Sequence, residues 1–273
     1  MMIADVHNHV FPPRIAEQAA ASISQFYHAT ASHTATLDIL LEQEALAGIH
    51  YTAVCSSATN AHQVSHINDF ISQCVRSAPN LVGIGTLYPT MEGWEAELER
   101  IPELGIRGLK IHPDFQQVPI DEPKALDMYR AIAKAGLPVL FHIGDSRYDF
   151  SSPHRLVNLI RQVPDLIVIA AHFGGWHSPN HHCVYDLPEN VYFDTSSSIK
   201  SMGNDRALMC LERIGAHRFL FGTDFPMWTP KLELERLLAL QLDSSTLQKI
   251  LFDNFQALFL RDCAAQTGGS GLG

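Results

Sequence analysis

The sequence predicts a (β/α)8 barrel, and two observations carry that prediction. Eight short apolar runs, each bounded by glycine, proline or polar residues, recur along the 273 residues, and after a first gap of 48 they end 24 to 30 residues apart. A βαβ unit needs about 30 residues, so this spacing indicates repeated β-α units. Runs such as Val168–Ala171 are apolar throughout, which is typical of parallel strands buried on both faces.

The eight runs are the predicted strands. In chain order they cover Ile3–His9, Tyr51–Ser57, Leu81–Leu87, Gly108–His112, Pro138–His142, Leu166–His172, Val191–Ser196 and Phe219–Asp224. The segments between and after them carry apolar residues at a period near 3.6, which predicts helices. These helices cover Thr36–Ala47, His62–Ser77, Glu92–Leu104, Glu122–Ala135, Pro153–Val163, Asn204–Ile214, Lys231–Leu240 and Ser245–Leu260.

One segment breaks the alternation. Pro12–His33 explains the long first gap, and we interpret it as an extended loop over the mouth of the barrel. No low-complexity linker divides the chain, so residues 1–262 are predicted to form a single barrel domain. The glycine-rich residues 263–273 are predicted to form a flexible C-terminal tail.

Composition limits the classes of partner. The formal net charge is −10, whereas nucleic acids and anionic membrane surfaces attract basic patches. We therefore expect a small-molecule substrate, no nucleic acid and no membrane; exposed helix faces leave a homodimer open. The N-terminal residues lack the basic and apolar regions of a signal peptide, and the five scattered cysteines contain no C-x-x-C pair, so a cytoplasmic protein is expected.

The functional signal lies in the histidines. Of the 15 histidines, several stand at the ends of predicted strands. Side chains at the C-terminal strand ends of such a barrel converge on the active site. The residues concerned are His7, His9, His112, His142 and His172, with Asp224 at the end of the eighth run. Imidazoles and a carboxylate around one axis are what a divalent metal site needs.

The spacing of His7 and His9 has its own geometric meaning. Residues i and i+2 of a strand point to the same side, so both imidazoles can reach one ion. A His-x-His pair alone is as often accidental as functional. The pair gains weight because further candidate ligands follow later apolar runs.

These segments resemble the amidohydrolase superfamily. Asp5–His9 is similar to its first-strand D-x-H-x-H signature, and four further segments match its amidohydrolase-2 branch, which includes aminocarboxymuconate-semialdehyde decarboxylase and pyrone-dicarboxylate lactonase. They are Gly108–Pro113, Phe141-His142, Ala171–Gly175 and Phe221–Pro226. Asp253–Phe259 resembles the closing helix of the family, although Phe255 stands where alanine is common. The resemblance extends from Asp5 to about Phe259.

The resemblance implies a site and a reaction. His7, His9, His142 and Asp224 would bind one divalent ion per chain, with His172 beside it as an acid/base group or an additional ligand. Zinc is the usual ion, and manganese, nickel or iron suit the same donors. Zinc lowers the pKa of bound water to about 7. Asp224 would take the proton of that water and deliver it to the leaving group. His172 would stabilise the oxyanion. The expected activity is hydrolysis of an amide or lactone.

Five residues are weaker candidates for substrate binding. Lys110 and His112 share a strand face, and one of them could bind a substrate carboxylate. Arg147 is either an anchor for an anionic group or part of a loop salt bridge. Trp176 and His177 follow the sixth run and either line the pocket or belong to ordinary packing and a polar loop. In binuclear members of the superfamily a lysine at the end of the fourth strand is carboxylated; we favour an unmodified Lys110 and a mononuclear site.

Two other functions remain open at the level of sequence. Decarboxylases of the same branch use a nearly identical set of ligands, so a metal-dependent carboxy-lyase is the main alternative. A non-catalytic metal-binding barrel is the lesser alternative. Such a barrel would be expected to have lost a ligand, whereas every expected ligand position here carries a residue that can bind a metal.

Overall fold

The computed structural model describes residues 1–260 and contains eight parallel strands in one sheet, paired in chain order. The strands are β1 Ala4–His9, β2 Tyr51–Cys55, β3 Leu81–Thr86, β4 Ile106–Ile111, β5 Val139–Phe141, β6 Val168–Ala170, β7 Val191–Asp194 and β8 Phe219–Leu220. The backbone N–H of Val6 donates to the carbonyl of Phe221 (3.0 Å), and that of Asp224 donates to the carbonyl of His7 (2.8 Å), which joins the last strand to the first. The predicted (β/α)8 barrel is confirmed.

Most strands end earlier than the sequence predicted. The clearest case is β8, which ends at Leu220, four residues before the predicted end, whereas β2, β6 and β7 each end two residues early. His172 and Asp224 therefore lie in the loops beyond the strands. Both adopt left-handed backbone angles, with φ of 59° and 60°, which a regular strand does not contain.

Helices cover the outside of the barrel. The long ones are Pro13–Tyr27, Leu37–Ala47, Val64–Ser77, Trp94–Glu103, Leu126–Lys134, Pro153–Gln162, Asn204–Ile214 and Pro230–Leu238. Short helices cover Pro113–Gln116, Ile199–Met202 and Ser244–Gln248, and π-helical turns cover Lys249–Asp253 and Gln256–Leu260. The predicted helices agree with these bounds to within a few residues, apart from the π-helical end of the last one.

The prediction of an extended loop over Pro12–His33 was wrong. Pro13–Tyr27 forms a 15-residue helix, here called α1, with Pro13 at a position that tolerates a missing N–H. Its buried side chains are Ala16, Ala20 and Ile23. These residues recur at helical spacing, so the sequence carried the periodic signal of the helix and the prediction overlooked it.

The C-terminal segment covers the bottom of the barrel. Phe255 and Phe259 pack with buried strand residues such as Val6 and Ile84 in one core cluster. Arg107, at the start of β4, donates to the carbonyl of Phe259. The opposite end, where the strands finish, is left for the functional site. The single-domain assignment stays a prediction, and the predicted tail lies outside the described residues.

No helix within residues 1–260 has the length and apolar character needed to cross a membrane.

Candidate metal centre

Three potential ligand atoms converge at the C-terminal end of the barrel. Nε2 of His7 lies 3.2 Å from Nε2 of His9, and each nitrogen lies 3.6 Å from Oδ1 of Asp224. Two atoms bonded to one tetrahedral zinc at about 2.0–2.2 Å are about 3.3–3.6 Å apart. Across residues 1–260 this is the one group of histidine, cysteine and carboxylate side chains close enough to share an ion. The donor set and its spacing therefore fit a divalent metal.

Local backbone structure brings the three together. His7 and His9 alternate with Asn8 along β1, so their rings lie on the same side of the strand. Asp224 reaches them because its backbone N–H is bonded to the carbonyl of His7. Burial acts to raise the pKa of Asp224, but the adjacent His7 and His9 imidazoles hold that pKa below its ordinary value. This carboxylate therefore stays ionised.

Asp194, at the end of β7, orients His7. Its carboxylate accepts hydrogen bonds from His7 Nδ1 (2.8 Å), the backbone N–H of His172 (2.8 Å) and the Ser196 hydroxyl (2.6 Å). Burial and the neighbouring Lys110 lower the pKa of His7 to about 4. His7 is therefore neutral, with its proton on Nδ1 and a lone pair on Nε2. A carboxylate behind a histidine in this way fixes the tautomer of a metal ligand.

Lys110 lies against the ligand group. Its side chain is fully buried in the barrel, and Nζ donates to Nε2 of His7 at 2.9 Å. Burial lowers the pKa of Lys110. His112 lies further out and contacts Tyr27 through Nε2 (2.7 Å). Substrate binding by Lys110 or His112 stays a prediction.

His142 and His172 form a pair beside the group. Nδ1 of His142 lies 3.1 Å from Nε2 of His172, and Nδ1 of His172 lies 3.2 Å from the carbonyl oxygen of Ser196. A carbonyl can only accept, so the proton of a neutral His172 lies on Nδ1, and its Nε2 accepts from His142. Burial lowers the pKa of His142 well below its ordinary value, which keeps that ring neutral. The role of His142 as a fourth ligand stays a prediction, since its ring nitrogens face His172 and Tyr27.

A cavity of about 340 Å³ opens beside these residues. It is lined by Tyr27, His142, Gly144, Asp145, Ser146, Arg147, His172, Trp176, His177, Ser197, Asp224, Met227 and Trp228. Three predicted substrate-binding residues, Arg147, Trp176 and His177, belong to this wall. The guanidinium of Arg147 is committed within the protein, because Nε and Nη2 donate to the carboxylate of Asp145 at 2.9 and 2.6 Å.

Sequence reasoning missed several residues of the site. Tyr27 was hidden in the segment interpreted as a loop. Ser197 donates to Oδ2 of Asp224 at 2.6 Å and accepts from Nε1 of Trp228 at 2.8 Å, but a serine after a strand gives no signal of its own. Asp194 could have been found, since it is a carboxylate that follows an apolar run, as Asp224 does.

The sequence of the barrel matches a known protein family. A model described as amidohydrolase matches residues 4–260. The chain belongs to the amidohydrolase family. This confirms the resemblance that the strand-end motifs indicated. A search of curated protein sequences finds no match.

Solved structures of the same fold include enzymes of two kinds. A dihydroxybenzoic acid decarboxylase from Polaromonas, with bound manganese and the inhibitor 2-nitroresorcinol, has a TM-score of 0.74 and 16% identity and covers 94% of this chain and 96% of its own. A 2,6-dihydroxybenzoate decarboxylase from Rhizobium has a TM-score of 0.70 and 18% identity over 94% and 98%. A probable 2-pyrone-4,6-dicarboxylic acid hydrolase from Acinetobacter baumannii, with citric acid bound, has a TM-score of 0.71 and 18% identity over 94% and 99%. At these identities the similarity establishes the fold.

Proposed function

We propose that this amidohydrolase-family protein hydrolyses a small carbonyl substrate, an amide or a lactone, with the help of one divalent ion. His7, His9 and Asp224 would hold the ion, and zinc suits two imidazoles and a carboxylate. The observation that carries the proposal is the convergence of their three ligand atoms to within 3.2–3.6 Å beside a cavity. When bound, such an ion supplies Lewis acidity and lowers the pKa of a water molecule to about 7.

The side chains supply the proton transfers. Asp224 offers two oxygens with different surroundings, since Oδ1 faces the histidines and Oδ2 accepts from Ser197. This carboxylate is ionised and fixed on both sides, so it is placed to take a proton from the attacking water and return it to the leaving group. The carbonyl of Ser196 accepts from Nδ1 of His172, which leaves Nε2 of that ring facing His142.

A decarboxylase is the second candidate. Two of the similar structures are decarboxylases of dihydroxybenzoates, and one of them contains manganese. The same ligand group would then orient the carboxylate that leaves as CO₂. The pyrone-dicarboxylic acid hydrolase among the similar structures supports the first candidate equally.

The test combines metal analysis with two substrate panels. The purified protein is expected to contain about one divalent ion per chain. It is expected to hydrolyse at least one member of a panel of lactones and amides, whereas release of CO₂ from an aromatic acid panel would instead identify a decarboxylase. Asp224→Asn serves as the inactive control in both assays. A protein that binds no metal and keeps its fold unchanged after His7→Ala and His9→Ala would refute the proposal, and a metal-binding protein inactive in both panels would support the non-catalytic barrel.

A further inference from the structure

The hydroxyl of Tyr27 is a hydrogen-bond donor directed toward the reacting part of the cavity. The backbone N–H of Phe115 donates to Nδ1 of His112 (3.3 Å), so the proton of the neutral His112 ring lies on Nε2. That N–H donates to the Tyr27 oxygen at 2.7 Å. The phenol hydrogen is therefore left for another acceptor. The one the structure offers, Nε2 of His142, is 3.4 Å away, which is long for an O–H donor.

Three other polar side chains of the cavity wall are committed elsewhere. His172 uses its N–H on the carbonyl of Ser196. Ser197 uses its hydroxyl hydrogen on Asp224, and the indole N–H of Trp228 is used on Ser197. A developing negative charge on a substrate oxygen needs a donor within about 2.7–3.1 Å. Tyr27 lines the same cavity as Asp224 and His172 and has a hydrogen to give.

Arg147 attaches the end of α1 to the barrel. Its guanidinium forms a two-point ion pair with Asp145 after β5, donates to the carbonyl of Phe26 and lies 4.3 Å from the centre of the Phe26 ring. This contact matters because α1 buries few of its own side chains. A helix that packs weakly needs such a fixed point to hold its last residue, Tyr27, in place.

We propose that Tyr27 is a catalytic residue whose phenol hydroxyl donates a hydrogen bond to the reacting oxygen of the substrate. Arg147 is the positioning residue that holds Tyr27 in place. The proposal rests on the proposed metal-assisted reaction and adds its oxyanion donor, a role that the sequence had suggested for His172. It also gives Arg147 a function other than binding a substrate anion.

The kinetic test is a double-mutant cycle on whichever substrate is turned over. Tyr27→Phe removes only the hydroxyl and is expected to lower kcat by about 10²-fold with little change in KM, as expected for a donor used in the transition state. Arg147→Met is expected to lower kcat about tenfold in the parent protein and hardly at all in the Tyr27→Phe background, because it acts through Tyr27. Additive effects would refute the positioning role, and an unchanged kcat in Tyr27→Phe would refute the catalytic one.

Tyr148→Phe is the matched control. Tyr148 stacks on Phe26 with ring centroids 5.9 Å apart, but it lies outside the cavity wall. Loss of its hydroxyl is expected to leave kcat unchanged. A loss as large as that of Tyr27→Phe would mean that the aromatic cluster as a whole, and not the Tyr27 hydroxyl, is responsible.

Two measurements do not depend on turnover. Acetohydroxamate binding to the Co²⁺-loaded protein, followed by visible absorption, is expected to weaken about tenfold in Tyr27→Phe, and an unchanged Kd would contradict the donor role. Amide exchange across residues 13–27 is expected to accelerate in Arg147→Met, and an unchanged rate would contradict the positioning role. Failure of the proposed function looks different: the parent protein itself would lack metal and activity.

Discussion

Two sides of the barrel mouth place a buried carboxylate near a histidine, yet they do so in opposite ways. On the side of β1 and β7, Asp194 accepts three short side-chain and backbone hydrogen bonds and holds the tautomer of His7. On the side of β4 and β5, Asp114 is just as buried, and within the described chain neither of its oxygens has a hydrogen-bond partner. Its nearer oxygen lies 3.9 Å from Nε2 of His142.

Electrostatics follow this difference. Although burial opposes it, the His7 imidazole lowers the pKa of Asp194, which therefore keeps its charge. Burial raises the pKa of Asp114 to about 7. The first side is organised in advance to hold a cation, whereas the second holds a buried carboxyl group that has no hydrogen-bond partner within the described chain. We infer that metal affinity resides mainly on the first side and that the second adjusts when a substrate binds.

The largest expected effect comes from exchanging one histidine on each side. His7→Ala removes one of three converging ligand atoms and is expected to abolish measurable metal binding. His142→Ala is expected to reduce metal affinity by about 10–100-fold, in the range of losing a supporting residue. Competition with a chromogenic zinc chelator measures both. A greater loss in His142→Ala than in His7→Ala would reverse the assignment of the two sides.

The next effect separates the two carboxylates. Asp194→Asn removes the charged group that accepts from Nδ1 of His7 and orients that ring. The metal affinity of this variant is expected to fall by about 10–100-fold. Asp114→Asn is the matched control on the other side, with the affinity expected to stay within about threefold of the parent protein. Circular dichroism verifies that both variants are folded. Equal losses in the two variants would mean that the difference in their hydrogen bonding has no bearing on the metal.

A smaller effect, on kcat, is expected from the loss of the hydrogen bond between Ser197 and the proposed base Asp224. Ser197→Ala removes the 2.6 Å donor to Oδ2 of Asp224. Without this bond Asp224 is held less firmly, and a misplaced catalytic group costs up to about 10²-fold, so kcat is expected to fall by about 10–100-fold at unchanged metal content. Trp228→Phe, which removes the donor to Ser197, is expected to act in the same direction and more weakly. A loss of metal instead of kcat would show that Ser197 serves binding rather than catalysis.

The smallest effect is a pH dependence of stability on the second side. The folded pKa of Asp114 is about 7, above its ordinary value of 3.8, so the folded state binds more protons between these values. Stability therefore falls as pH rises through this range and is least above pH 7. At pH 8 the free energy of unfolding of Asp114→Asn, measured in urea, is expected to exceed that of the parent protein by on the order of 1–2 kcal/mol. This difference is expected to shrink toward pH 5. Asp127→Asn, on an exposed helix position, is the control. An advantage equal at both pH values would contradict the assignment.

The better-organised side was also the more predictable one. The barrel followed from the spacing of apolar runs, and the placement of His7 and His9 on one side of β1 followed from strand alternation. The proximity of Asp224 followed from a carboxylate placed after a buried run. These features depend on chain direction and periodicity, which a sequence records.

The other side depends on features that no spacing records. The pairing of His142 with His172 is decided by side-chain rotation in the folded protein. Tyr27 reaches the cavity because the end of α1 lies against His112 and His142, a contact that no sequence spacing predicts. Arg147 could be placed in the correct loop, but its choice between a salt bridge and a substrate required the contact with Asp145.

The left-handed backbone at the strand ends has an evolutionary consequence. His172, Ser197 and Asp224 have φ of 59°, 54° and 60°, and non-glycine residues held in such conformations typically cost about 1–3 kcal/mol each. Selection for stability alone would therefore favour glycine at these three positions. Histidine, serine and aspartate stand there instead, and each of their side chains makes a contact of the site that glycine could not make. Among relatives of this chain, glycine at the same positions would mark lineages that exchanged the reaction for a more stable barrel.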